Sequence, residues 1–328
     1  MRAAADFSLL PRAHGAPVAR GRLRCSPEDF EVHEELGFEP SRDGEHLLLQ
    51  LRKRGQNTRW VARRLAEIAG VEPAAVGYAG LKDRHAVAVQ WFSLPLGSRS
   101  EPAGLEIDGV ELLQSVRHRS KLRPGMHRGN RFRLRLRALD SDPVALRTRF
   151  ARLAVAGVPN YFGPQRFGRD GANLELLTTG RRLNRGLRAF GLSALRAALF
   201  NGYLAMRITD GSWTRRLDGE ITPRDAEGEP TGLLWGGGQS RASGAALDSE
   251  RAWFEDYPAS RRLLEAAGNR MLRRVLRVRP VAFHWELAGS EAELSFGLPR
   301  GAFATSLLRE AGDFEDAAAG GGGSDVAD

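Results

Sequence analysis

Alternation with period two gives the clearest structural signal in this chain. Between Gly129 and Leu139, Phe132, Leu134 and Leu136 fall on one face of an extended segment, while Arg131, Arg133, Arg135 and Arg137 fall on the other. That pattern predicts a half-buried strand. From Arg22 to Gln50 the chain reads as strand, loop, strand: Phe30 and Val32 alternate with polar neighbours, and Leu47 to Leu51 is a second apolar run. A helix follows, capped by Asn57 or Thr58, with Trp60, Val61, Leu65 and Ile68 as its apolar stripe and Gly70 as its stop. Val76 to Ala79 and Ala86 to Leu94 predict the two strands of a hairpin, with Gly80 to His85 as the polar connection. Asp142 and Pro143 open a helix that places Leu146, Phe150 and Leu153 inward and ends at Gly157.

A second block follows. It predicts a helix from Ser193 to about Arg207, a glycine-rich stretch around Gly236 to Gly238, and a basic helix from Ser260 to about Leu276. Strand character returns at Val281 to Leu287 and Ala292 to Phe296, and a last short helix runs from about Ala302 to Glu310. The segment from Ala311 to Asp328 carries Asp313, Glu315, Asp316, Asp325 and Asp328, no basic residue, and the run Gly320 to Gly323. That composition predicts a disordered acidic tail over 313–328.

Composition narrows the partners. The formal net charge is +9, which suits a polyanion, because each neutralised phosphate releases counterions. Lysine stands only at Lys53, Lys82 and Lys121, so the basic charge is nearly all arginine, the signature of a GC-rich coding bias as much as of a binding surface. The single cysteine, Cys25, offers no internal disulfide, and no run approaches the ~20 apolar residues needed to span a bilayer. With no signal peptide in Met1 to Val18, the expectation is a cytoplasmic protein with no membrane and no protein partner, acting as a monomer. No cofactor or metal motif is present; His85 beside Asp83 lacks a further ligand at metal spacing.

The segment Gly77-Tyr-Ala-Gly-Leu-Lys-Asp-Arg-His-Ala86 is the sharpest chemical feature. It places Asp83 between Lys82 and Arg84 in a loop between strands. Flanking cations favour the ionised carboxylate, which can serve as covalent nucleophile or general base. On chemistry alone a solvated Lys-Asp-Arg turn is the favoured reading. The arginine face of 129–139 has two readings as well. It is a solvated sheet face, or it is a track for an RNA backbone, since alternate residues lie about 7 Å apart, near the spacing of successive phosphates. Trp91, Phe92, Phe132, Tyr161 and Phe162 could stack on bases or fill a core.

The sequence resembles the TruD family of tRNA pseudouridine synthases in several blocks that run in the family's order. They are Pro27-Glu-Asp-Phe-Glu-Val32 with Gly44-Glu-His46 and Asn57-Thr58, then Ala79-Gly-Leu-Lys-Asp-Arg-His-Ala86 with Gln90-Trp91. Gly129-Asn-Arg-Phe132 follows, then Gly157-Val-Pro-Asn-Tyr-Phe-Gly163 with Gln165-Arg-Phe-Gly168. Leu199-Phe-Asn201 and Leu298-Pro-Arg-Gly-Ala-Phe-Ala-Thr305 with Leu308-Arg-Glu310 complete the series.

The resemblance implies an α+β fold: a catalytic domain on a mixed, mainly antiparallel sheet, interrupted by an inserted α/β domain. The implied division is 1–156 and 284–312 for the catalytic domain, 157–283 for the insertion, and 313–328 for the tail. It also implies isomerisation of a tRNA uridine, at position 13 in the D arm, through Asp83 attacking either C1′ of the ribose or C6 of the uracil, without a cofactor. Arg24 falls where the family has a lysine paired with the aspartate; Phe132 would stack on the target base and Asn130 would hold the loop or base. Lys82, Arg84, His85, Arg131, Arg133, Arg135 and Arg166 are expected to contact RNA. Arg261, Arg262, Arg270, Arg273 and Arg274 on the basic helix are further candidates. An RNA chaperone without catalysis and a glycosidase-type hydrolase are the rival functions; the second wants a pair of carboxylates where this signature has one.

Removing Gly320 to Asp328 should leave activity and melting temperature unchanged, because the segment has no apolar periodicity with which to pack; a drop of several degrees on truncation would show that it docks.

Overall fold

The computed structural model describes residues 4, 6–97, 105–168, 171–177, 182–223, 226 and 228–320. The chain opens with β1 (Ala19–Leu23), β2 (Phe30–Leu36), β3 (His46–Arg54), α1 (Thr58–Ala69), β4 (Gly77–Tyr78), β5 (Val87–Pro95), β6 (Val110–His118), β7 (His127–Ser141) and α2 (Pro143–Ala156). It continues through β8 (Val158–Pro159), α3 (Ala172–Glu175), α4 (Arg185–Thr209), β9 (Thr231–Leu234), α5 (Gly244–Glu255), α6 (Pro258–Ala266), β10 (Leu272–Val275) and β11 (Arg277–Val278). It closes with β12 (Val281–Ala288), β13 (Glu291–Pro299), α7 (Ala304–Ala311) and β14 (Asp313–Asp316).

Backbone contacts divide these elements into two compact units. One comprises the described residues of Pro17–Ala154, Pro280–Gly301 and Gly312–Asp328; the other comprises those of Met1–Ala16, Val155–Arg279 and Ala302–Ala311.

The first unit is built on a sheet whose central path runs β12-β13-β7-β2-β5-β3-β6, with β1 on β7, β14 on β1 and β4 on β5. The β2–β5 and β1–β14 pairs are parallel and the rest antiparallel, so the sheet is mixed and mainly antiparallel, as expected. Alternation puts Leu47, Leu49 and Leu51 of β3 beside Phe92 and Leu94 of β5, and Val61, Ala62, Leu65 and Ala66 of α1 close over them. Asn57 caps α1 by accepting the Trp60 N–H at 2.7 Å, and Gly70 ends it in the left-handed conformation.

In the second unit the long helix α4 supplies the core. Leu192, Leu195 and Leu199 pack with Leu233, Phe254 and Leu264, and Phe200, Tyr203 and Leu204 pack with Tyr161, Trp213 and Leu276. The ladders β9–β10 and β8–β11 lie in the same unit.

Four expectations are corrected. Asp313–Asp316 is a strand rather than part of a disordered tail: β14 pairs with β1 in a register that sets Arg20 against Asp313 and Arg22 against Glu315, opposite charges on neighbouring strands. A Cβ at Gly312 would lie 2.6 Å from the Ala19 carbonyl, so glycine there permits the close docking of β14, while one at Gly21 would lie 2.9 Å from the Arg137 carbonyl on β7. Residues 317–320 form a short 3-10 turn, and 321–328 lie outside the described residues. The basic helix stops at Ala266, where Gly268 takes a φ of 72°, and Leu272–Val275 is a strand. The helix expected from Ser193 starts at Arg185, capped by Asn184, which accepts the Leu187 N–H at 2.8 Å. Finally, Met1–Ala16 and Ala302–Ala311 group with the second unit and not with the sheet. The reason is local: Glu310 on α7 accepts the N–H groups of Ala13 (2.9 Å) and His14 (3.1 Å), and the Ser306 hydroxyl donates to the Tyr161 carbonyl at 3.1 Å.

Candidate active site

The loop from Gly80 to His85 carries Asp83 between β4 and β5; its backbone is held from three elements and its Lys82 side chain from a fourth. Lys53, at the end of β3 and wholly excluded from solvent, donates through Nζ to the carbonyls of Gln56 (2.6 Å), Asp83 (2.9 Å) and Lys82 (3.3 Å). At the start of α1, the Thr58 hydroxyl accepts the Lys82 N–H at 3.0 Å and donates to Gln90 Oε1 at 3.0 Å. On β5, the Gln90 amide donates in turn to the Gly80 carbonyl. From β2, Glu34 accepts the Lys82 ammonium at 2.6 Å and the Trp91 N–H at 3.2 Å, and the Lys82–Glu34 ion pair is 6% and 0% exposed. Polar groups this deep are kept only when bonded; here most of their bonds end on the loop itself.

The fixed loop presents a carboxylate. The Asp83 side chain is 39% exposed, and Arg24 donates Nη1 to its Oδ2 at 3.0 Å. Arg24 is 9% exposed and follows β1 at a φ of 58°, a left-handed conformation unusual for a residue with a Cβ. Its Nε donates to Asp316 Oδ1 at 2.9 Å, and its Nη2 pairs with Asp316 Oδ2. The guanidinium also lies 5.2 Å from the centre of the Phe30 ring. The Pro-Glu-Asp turn before Phe30 is itself anchored: buried Asp29 accepts the Ser26 N–H at 3.0 Å and the fork of Arg137 at 2.8 to 3.0 Å.

Phe132 sits behind Phe30. Its ring is 8% exposed, edge-on to Phe30 at 6.0 Å and stacked on Phe296 at 5.4 Å. Asn130, two residues earlier on the same face of β7, is in register with Glu34 on one neighbouring strand and Leu298 on the other. Its Oδ1 is buried with no hydrogen-bond partner among the described residues. Among those residues no cluster of three His, Cys, Asp or Glu side chains gathers at metal-binding spacing.

The expected RNA contacts divide. Arg84 and His85 are exposed beside Asp83, with Arg84 Nε on the Gly55 carbonyl at 3.0 Å. Lys82 is committed to Glu34. The β7 arginines form a ladder with carboxylates of flanking segments: Arg131 with Glu35, Arg133 and Arg135 with Glu293, and Arg137 with Asp29 and Glu291. Arg166 lies in the other unit, donating to the Ser193 hydroxyl at 3.1 Å with its guanidinium over Phe162. Arg273 and Arg274, expected on an exposed helix, are strand residues turned inward: Arg273 pairs with buried Glu250, and Arg274 bonds Asn160 while lying 4.0 Å from the Phe162 ring centre.

Sequence reasoning missed Glu34, Lys53, Thr58 as a side-chain donor, and Gln90. The signal was present in two of them. Phe30, Val32 and Glu34 share one phase of β2, and Leu47, Leu49, Leu51 and Lys53 share one phase of β3, so a charge occupies an apolar phase in each strand.

The model of the family tRNA pseudouridine synthase D (TruD) matches residues 12–178, a span that holds Arg24, Asp83, Asn130 and Phe132. The chain is 45% identical to the tRNA pseudouridine synthase D of Methylococcus capsulatus, over 94% of this chain and 96% of that one. It is 43% identical to that of Aeromonas hydrophila, over 93% and 94%, and 42% identical to that of Xanthomonas axonopodis pv. citri, over 95% and 96%. The chain belongs to the tRNA pseudouridine synthase D family. The fold agrees: a crystal structure from Methanosarcina mazei, itself assigned to this family, superposes with a TM-score of 0.66 at 21% identity, covering 92% of this chain and 95% of that one.

Two stability measurements test the loop supports. Lys82→Met leaves Glu34 buried and unpaired, so it should cost about 3–5 kcal/mol in urea unfolding, whereas Glu34→Gln with Lys82→Met should recover part of that loss. An unchanged urea midpoint in Lys82→Met, with a weakened affinity for RNA, would instead make Lys82 an RNA contact. His127 packs against the loop, where its Cε1 lies 3.3 Å from the Cβ position of Gly80. Burial first, and then the Lys82 cation, hold its imidazole below the ordinary value of 6.5. The stabilisation this reflects is complete above that value and is lost as pH falls below it, because the unfolded chain then binds the extra proton. Stability should therefore decline from neutral pH toward about pH 5, and the decline should be shallower in His127→Gln; identical slopes would remove His127 from the account.

Proposed function

We propose that Asp83 is the group that acts on the target uridine, as nucleophile or base, and that the target is the uridine at position 13 in the D arm of tRNA. As a member of its family the chain is an isomerase that converts uridine to pseudouridine in tRNA. The observation that carries the reading is the Asp83 carboxylate, accessible at 39% exposure, set on a backbone that Lys53, Thr58 and Gln90 hold, and bonded to a cation through one oxygen.

A uridine inside a base-paired arm must leave its stack to reach this carboxylate. Attack at C1′ would release uracil from N1 with a covalent sugar ester left behind; attack at C6 would form the ester on the base. In either route the N1–C1′ bond breaks, the uracil turns, C5 bonds to C1′, the C5 proton leaves and N1 gains one. Reactants and product are isomers, so no electrons are supplied or removed. Arg24 orients the carboxylate through its Nη1 hydrogen bond to Oδ2. Asn130, with a buried acceptor at hand, would take the uracil imide N–H, and Phe132 with Phe30 would wall the base. Arg84 and His85, exposed beside Asp83, would meet the RNA backbone near the target, since the β7 arginines already face carboxylates.

The cytoplasm, where tRNA is matured, is the compartment this reading implies, and a single copy of the chain suffices for it. Among the described residues no helix is long and apolar enough to cross a membrane.

RNA carrying tritium at uracil C5 decides the chemistry. The protein should release tritium and leave pseudouridine, whereas a chaperone releases none and a hydrolase frees uracil. Asp83→Asn should release none while keeping its tRNA affinity, because backbone contacts to phosphate dominate binding. Turnover by the Asn variant above contamination would take the role from Asp83.

A further inference from the structure

We propose that Asp316 is a positioning residue for this isomerisation: it takes the forked edge of the Arg24 guanidinium and so limits Arg24 to one end-on hydrogen bond with Asp83. The inference rests on the reading of Asp83 given above and adds a residue from a strand that the sequence assigned to a tail.

A guanidinium next to one carboxylate favours two parallel N–H···O bonds, one to each oxygen. Bound in that way, Arg24 would engage both oxygens of Asp83; held end-on, it engages one. The structure shows the fork spent elsewhere. Nε bonds Asp316 Oδ1 at 2.9 Å and Nη2 bonds Asp316 Oδ2, while only Nη1 reaches Asp83, at Oδ2 and 3.0 Å. Phe30 beneath the guanidinium and the left-handed backbone at Arg24 restrict the plane in which this fork can lie.

Asp316 is held for the purpose. The β1–β14 register sets Leu23, the residue before Arg24, across from Asp316. The pairing is made by backbone, with Gly312 allowing the close approach to Ala19, so replacing the Asp316 side chain leaves the strand its partners. A lysine at position 24 would offer three donors around a point and no planar fork. The need for Asp316 therefore arises from the arginine.

The test is single-turnover kinetics at saturating tRNA in two backgrounds. Asp316→Asn should lower the rate by on the order of 10²-fold, as misplacement near a reacting group does, with KM and melting temperature little changed. In Arg24→Lys the same substitution should have no further effect. Asp316→Glu, which keeps the charge and the paired acceptors, should outperform Asp316→Asn although Asn is closer in size; this comparison also serves if Asn lowers stability. Equal losses in the two backgrounds, a loss confined to KM, or Asn outperforming Glu would overturn the proposal in favour of simple packing. Asp83→Asn is the control: if it turns over, the reading of Asp83 fails, whereas an inert Asp83→Asn beside a wild-type rate for Asp316→Asn removes only Asp316.

Discussion

The loop that carries Asp83 depends on a charge with no access to water. Stripping an ammonium of its hydration costs several kcal/mol even after the protein relaxes, and Lys53 is held against that cost by carbonyls from Gln56, Lys82 and Asp83. A loop conformation that withdrew those carbonyls would strand the charge. Loop geometry and fold stability are thereby one equilibrium, and the aspartate is presented by a backbone that has few alternatives. The Lys82–Glu34 pair repeats the device one residue from the carboxylate, and Thr58 and Gln90 complete it with neutral groups.

Arginine does different work on the same sheet. The β7 arginines meet Glu35, Glu293, Asp29 and Glu291 across the face, so a stripe that reads as a cationic track is a ladder of opposite charges. The guanidinium suits such bridging because its planar fork can serve two carboxylates at once, as Arg137 does between Asp29 and Glu291 and Arg24 does between Asp316 and Asp83. The excess of +9 that invites an RNA partner therefore lies largely outside this face.

Much of the sheet was legible from alternation alone: β7, the strands flanking the Asp83 loop, and α1 with its Asn57 cap all follow local rules. Asp83 was legible as a candidate and decisive only through resemblance, since one carboxylate in a turn carries little information. What escaped was non-local. Lys53, Thr58 and Gln90 act on backbone groups that no side-chain pattern displays, and Glu34 hides in a strand whose neighbours are apolar. The run after Ala266 was misread because arginine and leucine serve helix and strand alike, and Gly268 is the residue that separates them. The acidic end was misread because composition argues for disorder only when nothing complementary waits; the basic strand β1 does.

The three lysines acquire a meaning from this. Of the 49 lysine and arginine residues, all but Lys53, Lys82 and Lys121 are arginine. Two of the three are the buried ammonium groups at the Asp83 loop, where carbonyls and a carboxylate converge on a point. A compact ammonium meets such a cluster from its centre, whereas a planar guanidinium would need a wider cavity and acceptors set around its edge.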